Sequence, residues 1–212
     1  MSVKSHRLPR ACRLKFGPHG AQLVPGEGFA LARRLRQWLD FAGRLQGQGI
    51  EIQFQPQLSV HGRRLLVAEA RGQEVHAGTF LRHRRIILDA QLLRKPSELR
   101  RVFVHEVFHF VWLRLGNPRR RSYEGLLAAE WRQGARGELG WSAEWRKALL
   151  TSEDPAARSR RWREYACESF CDTAAFVFTG LRRHGEFTLA ARFCELRRRW
   201  FQEDISARLI PI

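Results

Sequence analysis

The sequence has no run of 18 apolar residues, and this absence excludes a membrane-spanning helix of ordinary length. Its first twenty residues are basic and contain no apolar stretch that would serve as a secretion signal. The four cysteines form neither a CxxC pair nor a disulfide-rich pattern. We therefore expect a cytoplasmic protein that folds around a hydrophobic core without disulfides.

Acidic residues are few beside basic ones. The chain has 38 lysines and arginines but 21 aspartates and glutamates, which gives a formal net charge of +17. Such a charge can attract nucleic acid, an anionic membrane or an acidic protein. No recognised nucleic-acid-binding motif accompanies the charge, and arginine on solvated faces explains the same composition. Nucleic acid is therefore a less favoured partner than a peptide or protein substrate.

Neither an internal repeat nor a clear linker divides the chain, and we expect a single domain over residues 29–212, preceded by a basic N-terminal arm of residues 1–28. Apolar residues at helical spacing predict a helix from Gly28 to Leu45. Alternating apolar residues and turn signals then predict a small, largely antiparallel sheet. Its strands are expected over Ile50–Phe54, Leu65–Ala68 and Thr79–Leu88.

Helical signals dominate the rest of the chain, so the fold class is α+β. Ser97 is a suitable N-cap for a helix that should end near Gly116. Short helices broken by glycines follow, and the large side chains expected to pack there are Trp131, Trp141 and Trp145. Two longer helices are predicted, over Ala157–Phe178, ended by Gly180, and over Phe187–Phe201.

One stretch, VFVHEVFHFVWL (Val102–Leu113), places polar residues in an otherwise apolar helix. His105 and His109 are four residues apart and share a helix face, and Glu106 lies part of a turn away. HExxH on a helix is the pattern in which two imidazoles bind one zinc ion while the glutamate activates a water molecule. The alternative is that both imidazoles are ordinary core residues paired with backbone groups.

A catalytic zinc ion needs a third protein ligand, and the extended pattern HExxHxxGxxH is absent because Trp112 and Leu115 stand at the required positions. The best candidate segment is EYACESFCDTAAF (Glu164–Phe176), whose acidic residues form a stripe at Glu164, Glu168 and Asp172. Glu164 suits a solvated face, whereas Asp172 lies among apolar residues and needs a partner. Cys167 and Cys171, one helical turn apart, could hold metal in principle, but small core residues are the favoured interpretation.

These two segments together resemble a known family. HEVFH, followed 59 residues after His109 by ESFCDTAA, is similar to the HExxH…ExxxD arrangement of the gluzincin metallopeptidases and of minimal soluble zincin domains. The resemblance implies one Zn²⁺ held by His105, His109 and Glu168, with Glu106 as general base. Asp172 would accept a hydrogen bond from a ligand imidazole. Glu164 is an alternative ligand, because ExxCxxFC is similar to the glutamate motif of antirestriction-type zincins.

The resemblance further implies a zincin-like fold, in which a small, mostly antiparallel sheet packs on the HExxH helix and a helical C-terminal half follows. The function it implies is that of a zinc-dependent endopeptidase. The strand from Thr79 to Leu88 would pair with an extended substrate, as the edge strand of zincins does. Its arginines at 82, 84 and 85 either favour acidic substrates or, as charges on edge strands more often do, only prevent aggregation. Tyr123, Tyr165 and His184 are the residues available to stabilise an oxyanion.

Two other functions remain open. One is a basic nucleic-acid-binding protein with a structural zinc centre, suggested by arginine-rich segments interleaved with Trp131, Trp162 and Trp200. The other is a zincin fold that has lost catalysis and acts as a sensor.

Overall fold

The computed structural model describes residues 12–17, 20–24, 45–62, 64–67, 72–206 and 209–212 of the chain. In this part the fold is α+β, and helices fill the C-terminal half as predicted. The chain divides into two compact units, Met1–Glu106 and Val107–Ile212, and the boundary falls within one continuous helix. The helix predicted from Gly28 to Leu45 lies outside the described residues, apart from Leu45 itself.

The strands of the described residues are short. They are β1 (Cys12–Gly17), β2 (Gly20–Val24), β3 (Leu45–Gln46), β4 (Ile50–Gln55), β5 (Leu58–His61), β6 (Arg64–Val67), β7 (Gln73–Glu74), β8 (Ala77–Phe80), β9 (Arg85–Asp89) and β10 (Ile210–Pro211). A five-stranded sheet has the order β2-β1-β4-β9-β8, and β5 pairs with both β6 and β7 in a three-stranded sheet. In the larger sheet β4 and β9 run parallel and the other pairs run antiparallel, which confirms a mostly antiparallel sheet.

Alternation in the sequence sets the buried face of this sheet. In β4 the residues Ile50, Ile52 and Phe54 are buried and those between them are half-buried. Ile52 lies beside Ile86 of β9 in the parallel register, and both side chains are fully buried. Successive side chains of a strand point to opposite faces of the sheet, so every second residue is buried when one face is covered. The strand predicted over Ile50–Phe54 is therefore confirmed.

Strands β1 and β2 fall within the segment that we expected to be an N-terminal arm. β1 pairs with β2 on one side and with β4 on the other, both antiparallel. These two stretches thus belong to the sheet, while the rest of residues 1–28 lies outside the described part of the chain.

The single strand predicted from Thr79 to Leu88 is wrong. The chain instead forms β8 and β9, joined by a 3₁₀ turn at Leu81–His83 and by Arg84 in the left-handed conformation, with a φ of 48°. The Arg84 side chain donates hydrogen bonds to the backbone carbonyls of Gly49, at 3.2 Å, and of Gln48. A contact with residues so distant in sequence leaves no trace in local periodicity, so the turn was missed.

The helices are α1 (Pro96–Arg114), α2 (Asn117–Arg132), α3 (Trp141–Ala148), α4 (Asp154–Ala157), α5 (Arg160–Thr179) and α6 (Ala191–Asp204). α1 begins at Pro96, which suits a first helical position because it has no N–H, so Ser97 lies within the first turn and is not the N-cap. Gly180 ends α5 with a φ of 70°, as predicted. None of the described helices is long and apolar enough to cross a membrane.

Aromatic side chains pack α1 against α5 within the second unit. The ring of Phe170 on α5 lies 5.9 Å from Phe108 and 5.1 Å from Trp112, both on α1. Phe201 of α6 closes the cluster at 5.0 Å from Phe170. These tilted ring contacts bury large apolar areas and fix the two helices in one register.

The tryptophans differ in burial from what we expected. Trp162 and Trp200 are buried, whereas Trp141 and Trp145 of α3 are 51% and 41% exposed. The prediction that the latter two are packing residues is therefore wrong. Their rings contact each other, with centroids 6.1 Å apart, while Ala143 is the buried residue of the same helix.

Candidate metal centre

Two imidazoles of α1 and a thiol of α5 meet in one place. The ligand atoms of His105, His109 and Cys171 all lie within 4.8 Å of one another. Cys171 is fully buried, and His105 is 7% exposed. These three residues, called the metal group below, could hold a metal ion. The structure thus shows a group on the HExxH helix that could hold a metal ion, which agrees with the coarser part of the prediction, and it includes Cys171, for which a small core residue was the favoured interpretation.

The local geometry of α1 places both imidazoles together. Residues four apart on a helix lie one above the other on the same face. The neighbouring residues of α1, including Val104, Val107 and Phe108, are fully buried. Because apolar packing surrounds the helix, the imidazoles are held at the face that meets α5.

Glu168, the predicted third ligand, lies beside the metal group but is not part of it. Its Oε2 atom is 3.9 Å from His109 Nε2, and its Oε1 atom forms an ion pair at 3.2 Å with the Arg146 guanidinium of α3. The Arg146 guanidinium also lies over the Trp145 ring, 4.7 Å from its centroid. The carboxylate of Glu168 therefore bridges the metal group and a cation on a neighbouring helix.

Cys167 lies one turn before Cys171 and contacts the other nitrogen of His109, with 3.6 Å between Sγ and Nδ1. A hydrogen bond from the Cys171 thiol, together with the contact to His109, lowers the pKa of Cys167 to about 6 despite its burial. Burial raises the pKa of Cys171 well above its ordinary value. One of the two sulfurs thus carries negative charge more readily than an ordinary cysteine.

Glu106, the predicted general base, is 9% exposed. Thr79, on strand β8, donates its hydroxyl hydrogen to Glu106 Oε2, with 2.5 Å between the oxygens. β8 pairs only with β9 among the described strands and forms one edge of the five-stranded sheet. The Glu106 carboxylate is therefore held by a residue of an edge strand, at the position next to His105 in α1.

Asp172 is 1% exposed and has a role that the sequence did not reveal. Its Oδ2 atom accepts a hydrogen bond at 3.2 Å from the backbone N–H of Ala143, in the first turn of α3. Gly140 permits this approach, since a Cβ atom there would lie 2.2 Å from the Asp172 carboxylate carbon. Asp172 thus caps α3 from another helix, and its predicted hydrogen bond to a ligand imidazole stays a prediction.

Glu164, the alternative ligand, faces outward. Its side chain is 49% exposed and forms an i, i+4 ion pair with Arg160, at 2.7 Å between Nε and Oε1. This environment matches the solvated stripe expected for Glu164, so the structure favours Glu168 over Glu164 as the carboxylate near the imidazoles.

The two tyrosines considered for oxyanion stabilisation belong to a different buried network, called the arginine cluster below. At its centre the fully buried Arg197 forms ion pairs with Glu130 and Glu138, each with a closest N–O distance of 2.6 Å. Lys147 and Tyr165 also bind Glu138, at 2.9 and 2.6 Å. The other members are Tyr123, Ser169 and Thr173. The remaining candidate, His184, packs its ring on Phe187.

The pKa values within the arginine cluster follow from burial and charge. Burial alone would raise the pKa of Glu138, but the charge and hydrogen bonds of Arg197, with Lys147 and Tyr165, lower it to about 2. Burial raises the pKa of Glu130 in spite of Arg197. Arg197 has a pKa well above its usual value, because the surrounding acidic groups outweigh its burial. The cluster therefore holds a permanently charged arginine in the core.

Three residues near the site were missed or given a different role. Cys171 carried a signal, since it lies one turn from Cys167 on the same helix as Glu168. Thr79 lay in a predicted strand but no local pattern links it to Glu106, and nothing in the sequence links Arg146 to Glu168. Comparisons of this chain with protein families, with curated proteins and with solved structures found no match.

Proposed function

We propose that this protein is a zinc-dependent peptidase in which His105 and His109 hold one metal ion and Glu106 is the general base. The observation that supports the proposal most strongly is the convergence of two imidazoles and a thiol within 4.8 Å, directly beside a buried glutamate. The edge strand that carries Thr79 adds a second argument, since an extended peptide can pair with such a strand.

The donor set fits zinc. Zinc in proteins prefers imidazole nitrogen and thiolate sulfur in a tetrahedral arrangement, in which neighbouring ligand atoms are about 3.5 Å apart. A spread of at most 4.8 Å in the metal group requires only small side-chain rotations to reach that separation. Cys171 is then the third ligand, and Glu168 is the nearby carboxylate that Arg146 orients.

When bound, zinc would supply Lewis acidity that makes water reactive near neutral pH and polarises a carbonyl group. The Glu106 carboxylate would accept the proton of the attacking water and return it to the leaving amine. The Thr79 hydroxyl holds one Glu106 oxygen, so the direction of the carboxylate is fixed before substrate arrives. His105 is 7% exposed and the His109 side chain 16% exposed, so only part of one imidazole is open to solvent.

The ligands can be assigned by elemental analysis of purified protein. We expect near-stoichiometric zinc in the wild type, loss of zinc in Cys171→Ala, and partial loss in Glu168→Ala. Glu164→Ala is the matched control on the same helix and should keep its zinc. Loss of zinc in the control alone would move the ligand to Glu164 and contradict the assignment.

Catalysis is tested with a denatured protein as substrate. Glu106→Gln should keep zinc and lose hydrolysis by about 10²–10⁴-fold, because the amide cannot accept the proton. Glu164→Gln, an exposed glutamate, should keep full activity. Undiminished hydrolysis in Glu106→Gln would remove the proposed base, and the absence of zinc from the wild type would remove the proposed centre.

A structural metal centre is the second candidate, and one observation favours it. Glu168 Oε2 lies 3.9 Å from His109 Nε2, so a fourth protein donor stands beside the metal group and would close a tetrahedral site if its side chain turned toward the other ligands. Zinc removal would then abolish folding, and no hydrolysis would be detected in any variant. The tryptophans that suggested nucleic-acid binding do not strengthen this candidate, because Trp162 and Trp200 are buried in the core.

A further inference from the structure

Three large apolar side chains form a row on the exposed face of α3 and are called the apolar stripe below. Trp141, Trp145 and Leu149, which follows the last residue of the helix, are spaced four residues apart and so lie one above another. Their exposed fractions are 51%, 41% and 55%. The buried residue of α3 is Ala143, so the stripe faces away from the core. Exposed apolar patches of this kind mark interaction sites.

A series of contacts within the second unit connects the apolar stripe with the metal group. Glu168 Oε2 lies 3.9 Å from His109 Nε2, and Glu168 Oε1 binds the Arg146 guanidinium at 3.2 Å. This guanidinium carbon lies 4.7 Å from the centre of the Trp145 ring. The side chains of His109, Glu168 and Arg146 are 15–26% exposed, so the series lies at the surface. An extended peptide advances about 3.3 Å per residue, and about four to six residues therefore reach from His109 to Trp145.

The area of the apolar stripe limits what can cover it. A tryptophan side chain buries about 150–250 Å² when it is enclosed, so three side chains that are about half exposed offer on the order of 300 Å². A stable protein–protein interface buries about 800 Å² on each partner. The stripe is therefore too small to hold a second folded copy of this chain by itself, and its size fits a short segment of polypeptide.

The charges of α3 favour a peptide over a nucleic acid. The helix has two cationic side chains, Arg146 and Lys147, which form ion pairs with Glu168 at 3.2 Å and with Glu138 at 2.9 Å. Proteins that stack bases on aromatic rings combine those rings with cations that bind the phosphates. Because carboxylates already neutralise both cations of α3, the stripe offers apolar surface without charge for a phosphate. A large apolar side chain needs only such a surface.

We propose that the apolar stripe binds a large apolar side chain of an unfolded polypeptide, about four to six residues along the chain from the metal group. Folded proteins bury most such side chains, so unfolded segments are the preferred partner. The role of the stripe in cleavage rests on the proposed function. Contacts so far from the reacting bond hold substrate and transition state equally, and they should lower KM without a change in kcat.

The first test measures binding without cleavage, in full-length Glu106→Gln protein of measured zinc content. The probes are two fluorescein-labelled, uncharged peptides of about twelve residues, identical except for phenylalanine or serine at one position near the end. Fluorescence anisotropy gives the two dissociation constants. We expect the phenylalanine peptide to bind about tenfold more tightly, because partial burial of its ring contributes to the binding free energy.

Variants in the same background locate the binding. Leu149→Ser lies on the apolar stripe, and Leu196→Ser on α6 is the matched control, since Leu196 is also exposed. Leu149→Ser should weaken binding of the phenylalanine peptide about threefold or more, and Leu196→Ser should leave it unchanged. Trp141→Ser combined with Trp145→Ser should remove the preference for phenylalanine. Circular dichroism shows that each variant is folded. Equal losses in the two leucine variants, or a preference that survives in the double variant, overturn the proposal.

Other occupants of the apolar stripe would give different results. The same variants are tested with a labelled single-stranded oligonucleotide, with phosphatidylserine vesicles and for self-association by analytical ultracentrifugation. We expect none of these three readouts to depend on the two tryptophans. An oligonucleotide or vesicle that competes with the phenylalanine peptide and is released by the double variant overturns the proposal. So does a dimer that the double variant abolishes.

The outcome for the peptidase proposal is read separately, from hydrolysis of the same peptides by protein that retains Glu106. The double tryptophan variant should raise KM for the phenylalanine peptide about tenfold at constant kcat. If no peptide is hydrolysed but the phenylalanine preference depends on the stripe, the proposed function fails and the binding surface stands. If hydrolysis proceeds with the same KM in the double variant, the proposed function stands and the binding surface fails.

Discussion

Helix α5 contributes to two buried polar clusters of different composition. Ser169 and Thr173 join the arginine cluster, while Cys171 joins the metal group. The arginine cluster contains two cationic side chains, Arg197 and Lys147, and two carboxylates, so its charges balance internally. The metal group instead collects imidazole nitrogen and thiol sulfur, the atoms that bind metal ions.

The two clusters differ in how their buried polar groups are stabilised. Buried charges are tolerated where each has a partner, as in the arginine cluster, and such networks specify how helices dock. A set of metal-ligand atoms gains its full stabilisation only when a cation arrives. We therefore expect the arginine cluster to control folding and the metal group to control metal content, with little overlap.

Replacement of the central arginine should have the largest effect on stability. Arg197→Met leaves Glu130 and Glu138 buried without their main partner, which should lower the unfolding free energy by about 3–5 kcal/mol. The next residue provides a control, because Arg198 pairs with the exposed Glu195, and Arg198→Met should cost at most about 1 kcal/mol. Urea denaturation of both variants measures the difference. Equal losses of unfolding free energy in the two variants would show that the buried ion pairs of Arg197 stabilise the protein no more than the exposed pair of Arg198.

The pH dependence of stability should also report on the arginine cluster. The pKa of Glu138 is about 2 in the folded protein, whereas an unperturbed glutamate has a pKa of 4.5. A lowered folded pKa stabilises the protein above pH 4.5, and this stabilisation, on the order of 3 kcal/mol, is lost as the pH falls from 4.5 to about 2. Glu130, whose pKa is raised, contributes the opposite slope above pH 4.5.

Glu138→Gln tests this assignment. The groups that face Glu138 are Arg197 on α6, Lys147 on α3, Tyr165 on α5 and Glu130 on α2. The variant should lose most of the stability change between pH 4.5 and 2, as measured by denaturation at several pH values. Glu195→Gln, an exposed position on α6, is the control. If Glu138→Gln lost as much stability on acidification as the wild type, other carboxylates would be responsible for the pH dependence.

The smallest changes in stability are expected from two substitutions on α5, which should nevertheless differ clearly in their effect on zinc binding. Ser169→Ala removes a hydroxyl that contacts Arg197 at 3.0 Å and should cost about 1 kcal/mol while zinc binding is kept. Cys171→Ala should cost a similar amount in metal-free protein but abolish zinc binding. Thermal denaturation and zinc titration of each variant give the two readouts. Loss of zinc in Ser169→Ala would mean that the clusters are coupled.

Much of the fold could be predicted from local patterns. Alternation predicted β4, and glycine at positions 116 and 180 predicted where α1 and α5 end. The turn between β8 and β9 could not be predicted, because Arg84 is held there by backbone carbonyls from residues far away in sequence. The exposure of Trp141 and Trp145 was also missed. Large aromatic side chains are usually buried, and the sequence does not show that only the face of α3 with Ala143 packs against the rest of the protein.

The sequence by itself determined that two imidazoles share a helix face and that a glutamate follows the first of them, because helical spacing is a local property. It also placed Glu168 and Cys171 on one later helix. Only the tertiary structure decided which donor meets the imidazoles, that Arg146 binds Glu168, and that Thr79 holds Glu106. The physical reason is that these contacts join separate elements, whose relative rotation is set by core packing and not by any local pattern.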